Sequence, residues 1–361
     1  MSALKQPIKT ADQLVAAGLV APEERAGLDR LMTTYAVAIT PAVAGLIDCS
    51  AGATDPIAAQ FVPTPAELER HPVENDDPIG DEAHSPAPGI VHRYTDRCLL
   101  KLVSICPVYC RFCFRREMVG PNHGAGLTSA EIEAAFAYIA QHSEIWEVII
   151  TGGDPLVLSP RRIRDITQRL AAIPHVRVLR WHTRVPVVAP EHIDEAMVSA
   201  LRLPDKAVYV ALHANHPREL TAQARRTCAK LIDGGIPMVS QTVLLRGVND
   251  DAGTLESLMR AFVEIRVKPY YLHHPDLAPG TGHFRVPIAR GQAIVAELRR
   301  RLSGLAMPEY VLDIPGGHGK VPIGPGYLRS RPNAAGYEVT DRKGLTHTYV
   351  DCCATPGEGT R

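Results

Sequence analysis

The sequence predicts an α/β fold, a partial, TIM-like (β/α)6 barrel with a helical N-terminal extension and a small C-terminal β-containing segment. Two observations carry that expectation. Short apolar or β-branched runs alternate with helix-like stretches through the middle of the chain, the pattern of parallel strands joined by helices. Polar strings follow nearly every one of those runs, and in a barrel of βα units the active site is built at the carboxyl ends of the strands.

The strands are expected at 99–105, 147–151, 176–182, 207–212, 238–244 and 268–272. Helices are expected between and after them, at 129–141, 160–171, 190–201, 217–233, 252–265 and 288–301. Thr128-Ser-Ala-Glu131 is a capping box that starts the first of these helices. CPVYCRFCFRRE follows the first strand and GGDP the second, while HTR, HANHP and HHPD end the third, fourth and sixth; the fifth carries Gln241. Six units leave a barrel incomplete, with an open side for a large substrate.

Three zones follow from this. Residues 1–90 mix helix-like stretches at 11–17 and 21–37 with Pro-rich segments, so they form a helical extension and an irregular wrap. Residues 91–303 form the barrel. Residues 304–361 carry YVLDIPGGHGK and then YEVTDRKGLTHTYVD, which reads as two strands around a turn.

Bulk composition narrows the function. The 361 residues are 45% hydrophobic, enough for a sizeable core. Lys+Arg and Asp+Glu both number 39, a balance that argues against a nucleic-acid footprint or a basic membrane surface. No apolar run reaches the length of a membrane span, and the first twenty residues lack the apolar core of a secretory signal. A soluble cytoplasmic protein is expected.

Of the eight cysteines, at 49, 98, 106, 110, 113, 228, 352 and 353, three lie within eight residues. In a reducing compartment such clustering favours metal binding or catalysis over bridges. Cys106-x3-Cys110-x2-Cys113 can hold three irons of a 4Fe–4S cluster and leave the fourth open to another ligand. The competing reading is a zinc site completed by His92 or His182, although zinc sites more often use paired C-x2-C units. A simple electron carrier with an inert barrel is the corresponding non-enzyme.

Pro315-Gly-Gly-His-Gly-Lys320 places a lysine after three glycines. It is not a P-loop, because Ile314 stands where the motif needs Gly and Val321 where it needs Ser or Thr. Two readings stay open on spacing alone: a lysine that forms a Schiff base with an aldehyde cofactor, or a solvated lysine on a surface turn.

The chain resembles the lysine 2,3-aminomutase family, which belongs to the radical S-adenosylmethionine superfamily and also uses pyridoxal phosphate. The resemblance runs from about His92 to about Pro322, through HRYTDR, CPVYCRFCFRR, TGGDPL, HTRVPVV, HANHP, QTVLLRGVND, KPYYLHHPDLAPGTGHFR and DIPGGHGK in that order. It implies that Cys106, Cys110 and Cys113 bind the cluster and that Lys320 is the pyridoxal phosphate lysine. Arg115 would clamp the substrate carboxylate, a task suited to a bidentate guanidinium. Asp276 and Asp313 would hold the distal ammonium of lysine, two carboxylates around one cation. Gly152 and Gly153 would meet the methionine amino group, His213 and Gln241 would touch S-adenosylmethionine, and Arg93, Tyr94 and Arg97 would lie on the pyridoxal phosphate side. The implied reaction is an isomerisation. A 5′-deoxyadenosyl radical takes a hydrogen atom from the β-carbon, the amino group moves from the α- to the β-carbon, and hydrogen returns.

Two departures qualify the resemblance. Clostridial-type members carry a C-terminal zinc site, one of whose ligands follows GVND; here that position is Asp251, and downstream there is only the adjacent pair Cys352-Cys353. No structural zinc is expected, and a homo-oligomer is left open. Glutamate 2,3-aminomutases lack the acidic pair, so Asp276 with Asp313 argues for L-lysine to β-lysine. A related short branch makes β-lysine for elongation factor P modification, and the form PGGxGK is that of the free-lysine enzymes. The expected partners are the amino-acid substrate and a one-electron reductant such as flavodoxin or ferredoxin, with the elongation factor P pathway as an alternative destination. A radical enzyme that lacks pyridoxal phosphate is the remaining enzymatic alternative.

Overall fold

The computed structural model describes residues 6–331 and 336–350. Its centre is a nine-stranded sheet in sequential order. Strands β1 (Ile90–Tyr94) and β2 (Arg97–Val103) form an antiparallel hairpin. From β2 the sheet is parallel through β3 (Glu147–Gly152), β4 (Val178–Thr183), β5 (Ala207–His213), β6 (Met238–Val243), β7 (Val267–His273) and β8 (Glu309–Ile314). It closes on a second antiparallel hairpin with β9 (Gly319–Pro322). The result is a nearly closed, barrel-like sheet.

Six of the parallel strands are each followed by a helix, as the alternation predicts. The helices are Ser129–Gln141, Pro160–Ala171, Glu195–Leu201, Ala222–Asp233, Ala252–Glu264 and Ile288–Arg301. The Thr128/Glu131 capping box is present. The expected helices at 190–201 and 217–233 are each divided into a short 3₁₀ turn and a true helix, because Asp194 and Thr221 supply fresh N-caps inside the run. The third expected strand starts at Val178 rather than at residue 176. Strand β8 is a seventh parallel strand, read in the sequence as part of the tail because no helix follows it.

Alternation along the strands divides their side chains. Val148, Ile150, Leu179, Trp181, Val210 and Leu212 are buried against the helices. Leu99, Ile149, Thr151, Arg180, His182, Gln241, Tyr271, His273 and Asp313 face the lumen.

The N-terminal zone packs on the same core through Leu14, Leu28, Ile39, Ile57 and Phe61. Its irregular part is tied down electrostatically. Glu67 takes Arg111 and Arg116, Glu74 takes Arg285, Asp55 takes Arg218, and Asp81 takes Arg93 and Arg115. All four acids are buried, so each needs its cation.

Beyond the barrel, β10 (Leu328–Ser330), β11 (Tyr337–Thr340) and β12 (Thr346–Tyr349) form a small antiparallel sheet. Its β11–β12 hairpin is the one expected from YEVTDRKGLTHTYVD. Among the described residues no helix is long and apolar enough to cross a membrane. Cys352 and Cys353 lie outside the described residues.

Candidate active site

One cavity of about 630 Å³ occupies the lumen and its open side. Every residue to which the resemblance gives a role at the site lines it: Cys106, Cys110, Cys113, Lys320, Arg115, Asp276, Asp313, Gly152, Gly153, His213, Gln241, Arg93, Tyr94 and Arg97. Its size suits a cofactor and a small substrate.

The cysteine loop leaves the carboxyl end of β2. Cys113 N–H donates to the Cys110 carbonyl at 3.1 Å, and Arg111 N–H donates to the Gln60 carbonyl at 2.9 Å. Burial, with the charges of Asp154, Cys113 and Cys110, pushes the Cys106 thiol well up, and burial pushes Cys113 up to about 11. Thiolates are the ligating form, so a bound cationic group would offset that cost. Among the described residues no three His, Cys, Asp or Glu side chains meet closely enough to hold a single metal ion. In a 4Fe–4S cluster each cysteine takes a different iron, so the three sulfurs need not meet around one ion.

Glycine is required where β3 meets this loop. A Cβ on Gly153 would lie 2.3 Å from the Ile105 carbonyl oxygen, and Gly152 has φ +112°. The Gly153 N–H donates to the Val103 carbonyl at 2.6 Å. These glycines therefore press strand end and cysteine loop together. His213 and Gln241 are register partners on β5 and β6. His213 Nε2 stands 3.2 Å from Asn215 Oδ1, and its ring meets Phe112 edge-on at 5.7 Å.

Lys320 sits on β9 opposite Asp313 of β8. Its Nζ donates to Asp313 Oδ2 and stands 3.4 Å from His273 Nδ1; its backbone N–H donates to Tyr94 Oη at 2.8 Å. The glycine loop before it is pressed on the wrap, where a Cβ on Gly317 (φ +85°) would lie 2.7 Å from the His84 ring. The lysine thus faces the lumen, not solvent, and the surface-turn reading falls.

The acidic pair is electrostatically split. Burial raises the Asp313 pKa, but the His273 hydrogen bond and the Lys320 ammonium outweigh it and hold the carboxyl below the usual range. Burial and the Asp313 charge push Asp276 up to about 7, against Lys320 and Arg115. Asp313 is therefore ionised, and Asp276 holds its proton up to about neutrality unless a further cation arrives.

Arg115 is buried and donates to Asp81 Oδ2 from Nη2 at 3.1 Å. Arg93 donates to the other oxygen of Asp81 at 3.1 Å and to the Ile79 carbonyl at 2.6 Å. Arg97 pairs with Asp96 at 2.6 Å and lies 3.9 Å over the Tyr94 ring. Three cavity-lining groups are buried with no hydrogen-bond partner: Arg93 Nε, His182 Nε2 and, at the cysteine loop, Arg184 Nε. Burial, and then the charge of Arg180, lowers His182 well below the ordinary histidine value, so it is a neutral ring. Unpartnered polar groups beside a lumen-facing lysine fit an anionic aldehyde cofactor such as pyridoxal phosphate.

His92 does not face this cavity; its Nδ1 stands 2.8 Å from Tyr138 Oη, beside another, smaller hollow. It is not placed as a zinc ligand for the cysteines. Asp251 caps a helix, accepting from Thr254 N–H at 2.8 Å. The sequence does not single out Asp81, Arg184 or His273. HTR and HHPD flag the neighbourhoods of the last two, whereas Asp81 is one acid among many in the Pro-rich wrap.

A family model described as Radical SAM superfamily matches residues 100–258, and one described as Lysine-2,3-aminomutase matches residues 295–339. The chain is 40% identical to the L-lysine 2,3-aminomutase of Acetoanaerobium sticklandii over 91% of its own length and 78% of that protein. It is 37% identical to the L-lysine 2,3-aminomutase of Clostridium subterminale, again over 91% of this chain and 78% of that protein. It is 36% identical to the glutamate 2,3-aminomutase of Clostridioides difficile, over 86% of this chain and 72% of that protein.

Proposed function

We propose, starting from the fact that this chain belongs to the lysine 2,3-aminomutase family of the radical S-adenosylmethionine superfamily, that it isomerises L-lysine to β-lysine. The observation that carries the choice of substrate is the Asp276–Asp313 pair in the same cavity as Lys320, Arg115 and the cysteine loop. When bound, the 4Fe–4S cluster, S-adenosylmethionine and pyridoxal phosphate supply the one-electron cleavage, the carbon radical and the nitrogen migration.

The protein's own groups set the geometry. Cys106, Cys110 and Cys113 hold the cluster at the rim of the lumen. Gly152 and Gly153 keep β3 tight against the cysteine loop, and His213 with Gln241 faces the S-adenosylmethionine side. Lys320 holds the pyridoxal cofactor through its Nζ, with Arg93, Tyr94 and Arg97 beside it. Arg115 binds the α-carboxylate of the substrate.

Asp276 and Asp313 take the distal ammonium, and its arrival favours loss of the proton that burial holds on Asp276. Asp313 also pairs with the Lys320 ammonium, so it can receive that cation whenever the lysine is not engaged with the cofactor. The lumen walls limit access of water and fix the reacting carbon against the radical source. A glutamate side chain would set a carboxylate against this acidic pair.

A one-electron donor of the flavodoxin or ferredoxin class serves the cluster, and we place the enzyme in the cytoplasm because free thiols need a reducing compartment. The test is anaerobic reconstitution with iron, sulfide and pyridoxal phosphate, then S-adenosylmethionine, dithionite and either L-lysine or L-glutamate. β-Lysine alone supports the reading. β-Glutamate would overturn the assignment of the acidic pair, and 5′-deoxyadenosine without either product would point to another amine.

A further inference from the structure

Arg184 belongs to none of the roles above, yet it is a buried cation in direct contact with a cysteine of the loop. It lies just past β4, and its side chain is 5% exposed. Nη1 donates to the Cys110 sulfur at 2.9 Å. Nη2 donates to Gln60 Oε1 at 2.5 Å and to Glu219 Oε2 at 2.6 Å. The backbone N–H donates to Asp154 Oδ2 at 2.7 Å, which fixes the start of the side chain. The guanidinium also lies 4.6 Å over the Phe61 ring and 5.5 Å from that of Phe112.

The anchors are themselves fixed. Glu219 accepts from the backbone N–H of Asn215 at 2.8 Å and of His216 at 2.9 Å. Gln60 accepts from Asn215 Nδ2 at 3.1 Å, and its amide nitrogen stands 3.3 Å from Glu219 Oε1. Gln60, Asn215 and Glu219 are all buried. Gln60 and Glu219 hold Nη2, the Phe61 ring covers one face, Nε has no partner, and Nη1 carries the N–H toward sulfur.

We infer that Arg184 is a positioning residue that sets the reduction potential of the cluster by donating to the Cys110 sulfur, with Glu219 moderating its charge. The inference rests on the reading that the three cysteines hold a 4Fe–4S cluster. Hydrogen bonds to cluster sulfurs, local charge and burial are the levers that set such potentials. Reduction adds one electron to the cluster and no proton, so a buried cation at a ligating sulfur stabilises the reduced state. Arg184 therefore makes the cluster easier to reduce, whereas the Glu219 carboxylate acts in the opposite sense. The wrap takes part through Gln60, which links the N-terminal zone to the redox group.

The test is potentiometric. Wild type, Arg184→Gln, Arg184→Lys and Glu219→Gln are reconstituted with iron and sulfide and assayed for both elements. Each is then titrated with dithionite, without S-adenosylmethionine, while the reduced cluster is followed by electron paramagnetic resonance. The expected order of potentials is Glu219→Gln highest, then wild type, Arg184→Lys and Arg184→Gln. The Gln variant at Arg184 should need about tenfold stronger reducing conditions, which for one electron is about 59 mV. If that variant does not fold, the opposite shift in Glu219→Gln and the smaller drop in Arg184→Lys still decide the matter. Equal potentials in cluster-loaded variants, with only iron content reduced, would make Arg184 merely structural and overturn the inference. Wild type that assembles no 4Fe–4S cluster would overturn the function proposed above as well.

Discussion

Replacing Asp81 with Asn should destabilise the protein by about 3–5 kcal/mol, the usual loss when one partner of a buried ion pair is removed. The Asp81 side chain is fully buried and faces Arg93 at 3.1 Å, Arg115 at 3.1 Å and Lys101 at 3.8 Å. At an effective dielectric constant near 20, each arginine contact corresponds to about 5 kcal/mol of Coulomb attraction and the lysine contact to about 4. Desolvation offsets most of that sum, so the net figure is the smaller one. Burial raises the Asp81 pKa, but Arg115, Lys101 and Arg93 outweigh it and leave the carboxyl below its ordinary value. The stabilising contribution is thus present above an unfolded pKa of about 3.9 and is lost as pH falls through the lower folded value. Urea unfolding of the cofactor-free chain at pH 7 measures the loss. In the loaded enzyme the same change should raise KM for lysine more than it lowers kcat, because Arg115 is no longer held in place for the carboxylate. A stability loss below about 1 kcal/mol, with KM unchanged, would refute the reasoning.

Three other outcomes are expected. Asp276 has a folded pKa of about 7, well above that of an unfolded carboxyl, so the folded chain holds the extra proton between about pH 4 and 7 and stability falls as pH rises through that window. Since the distal ammonium favours the ionised pair, KM for lysine should fall as pH rises toward 7, by at most about tenfold per unit, and Asp276→Asn should flatten that profile. Lys320→Ala should remove the Schiff-base absorbance of bound pyridoxal phosphate and reduce turnover by at least about a thousandfold; full turnover in that variant would remove the lysine from its role. Gly153→Ala would place a methyl 2.3 Å from the Ile105 carbonyl oxygen, and should cost more than about 1 kcal/mol and lower iron content after reconstitution.

What the sequence disclosed, and what it concealed, follows from the range of each interaction. Strands β2 to β7 are legible because each is a short apolar run bounded by turn residues and followed by a helix. β8 lacks that following helix, so Glu309–Ile314 reads as tail although it carries Asp313 into the lumen. The cysteine loop and the glycine-flanked Lys320 are legible because their chemistry lies within a few consecutive residues. The contact from Arg184 to Cys110 spans 74 positions and that from Gln60 to Glu219 spans 159, and no local pattern announces either. The acids of the wrap are hidden for the same reason. Asp55, Glu67, Glu74 and Asp81 look like solvated charges in a Pro-rich stretch, and only folding shows that each is buried on an arginine of the barrel.

The central claim is that an amino group moves within one lysine molecule inside this lumen. The most direct test supplies the anaerobically reconstituted enzyme with L-lysine labelled with ¹⁵N only at the α-amino group and locates the label by NMR. Migration within one molecule gives β-lysine with ¹⁵N on the β-carbon in every product molecule. β-Lysine whose β-nitrogen is unlabelled, or recovery of unchanged lysine from an enzyme that holds its full iron and pyridoxal phosphate and still cleaves S-adenosylmethionine, would contradict it.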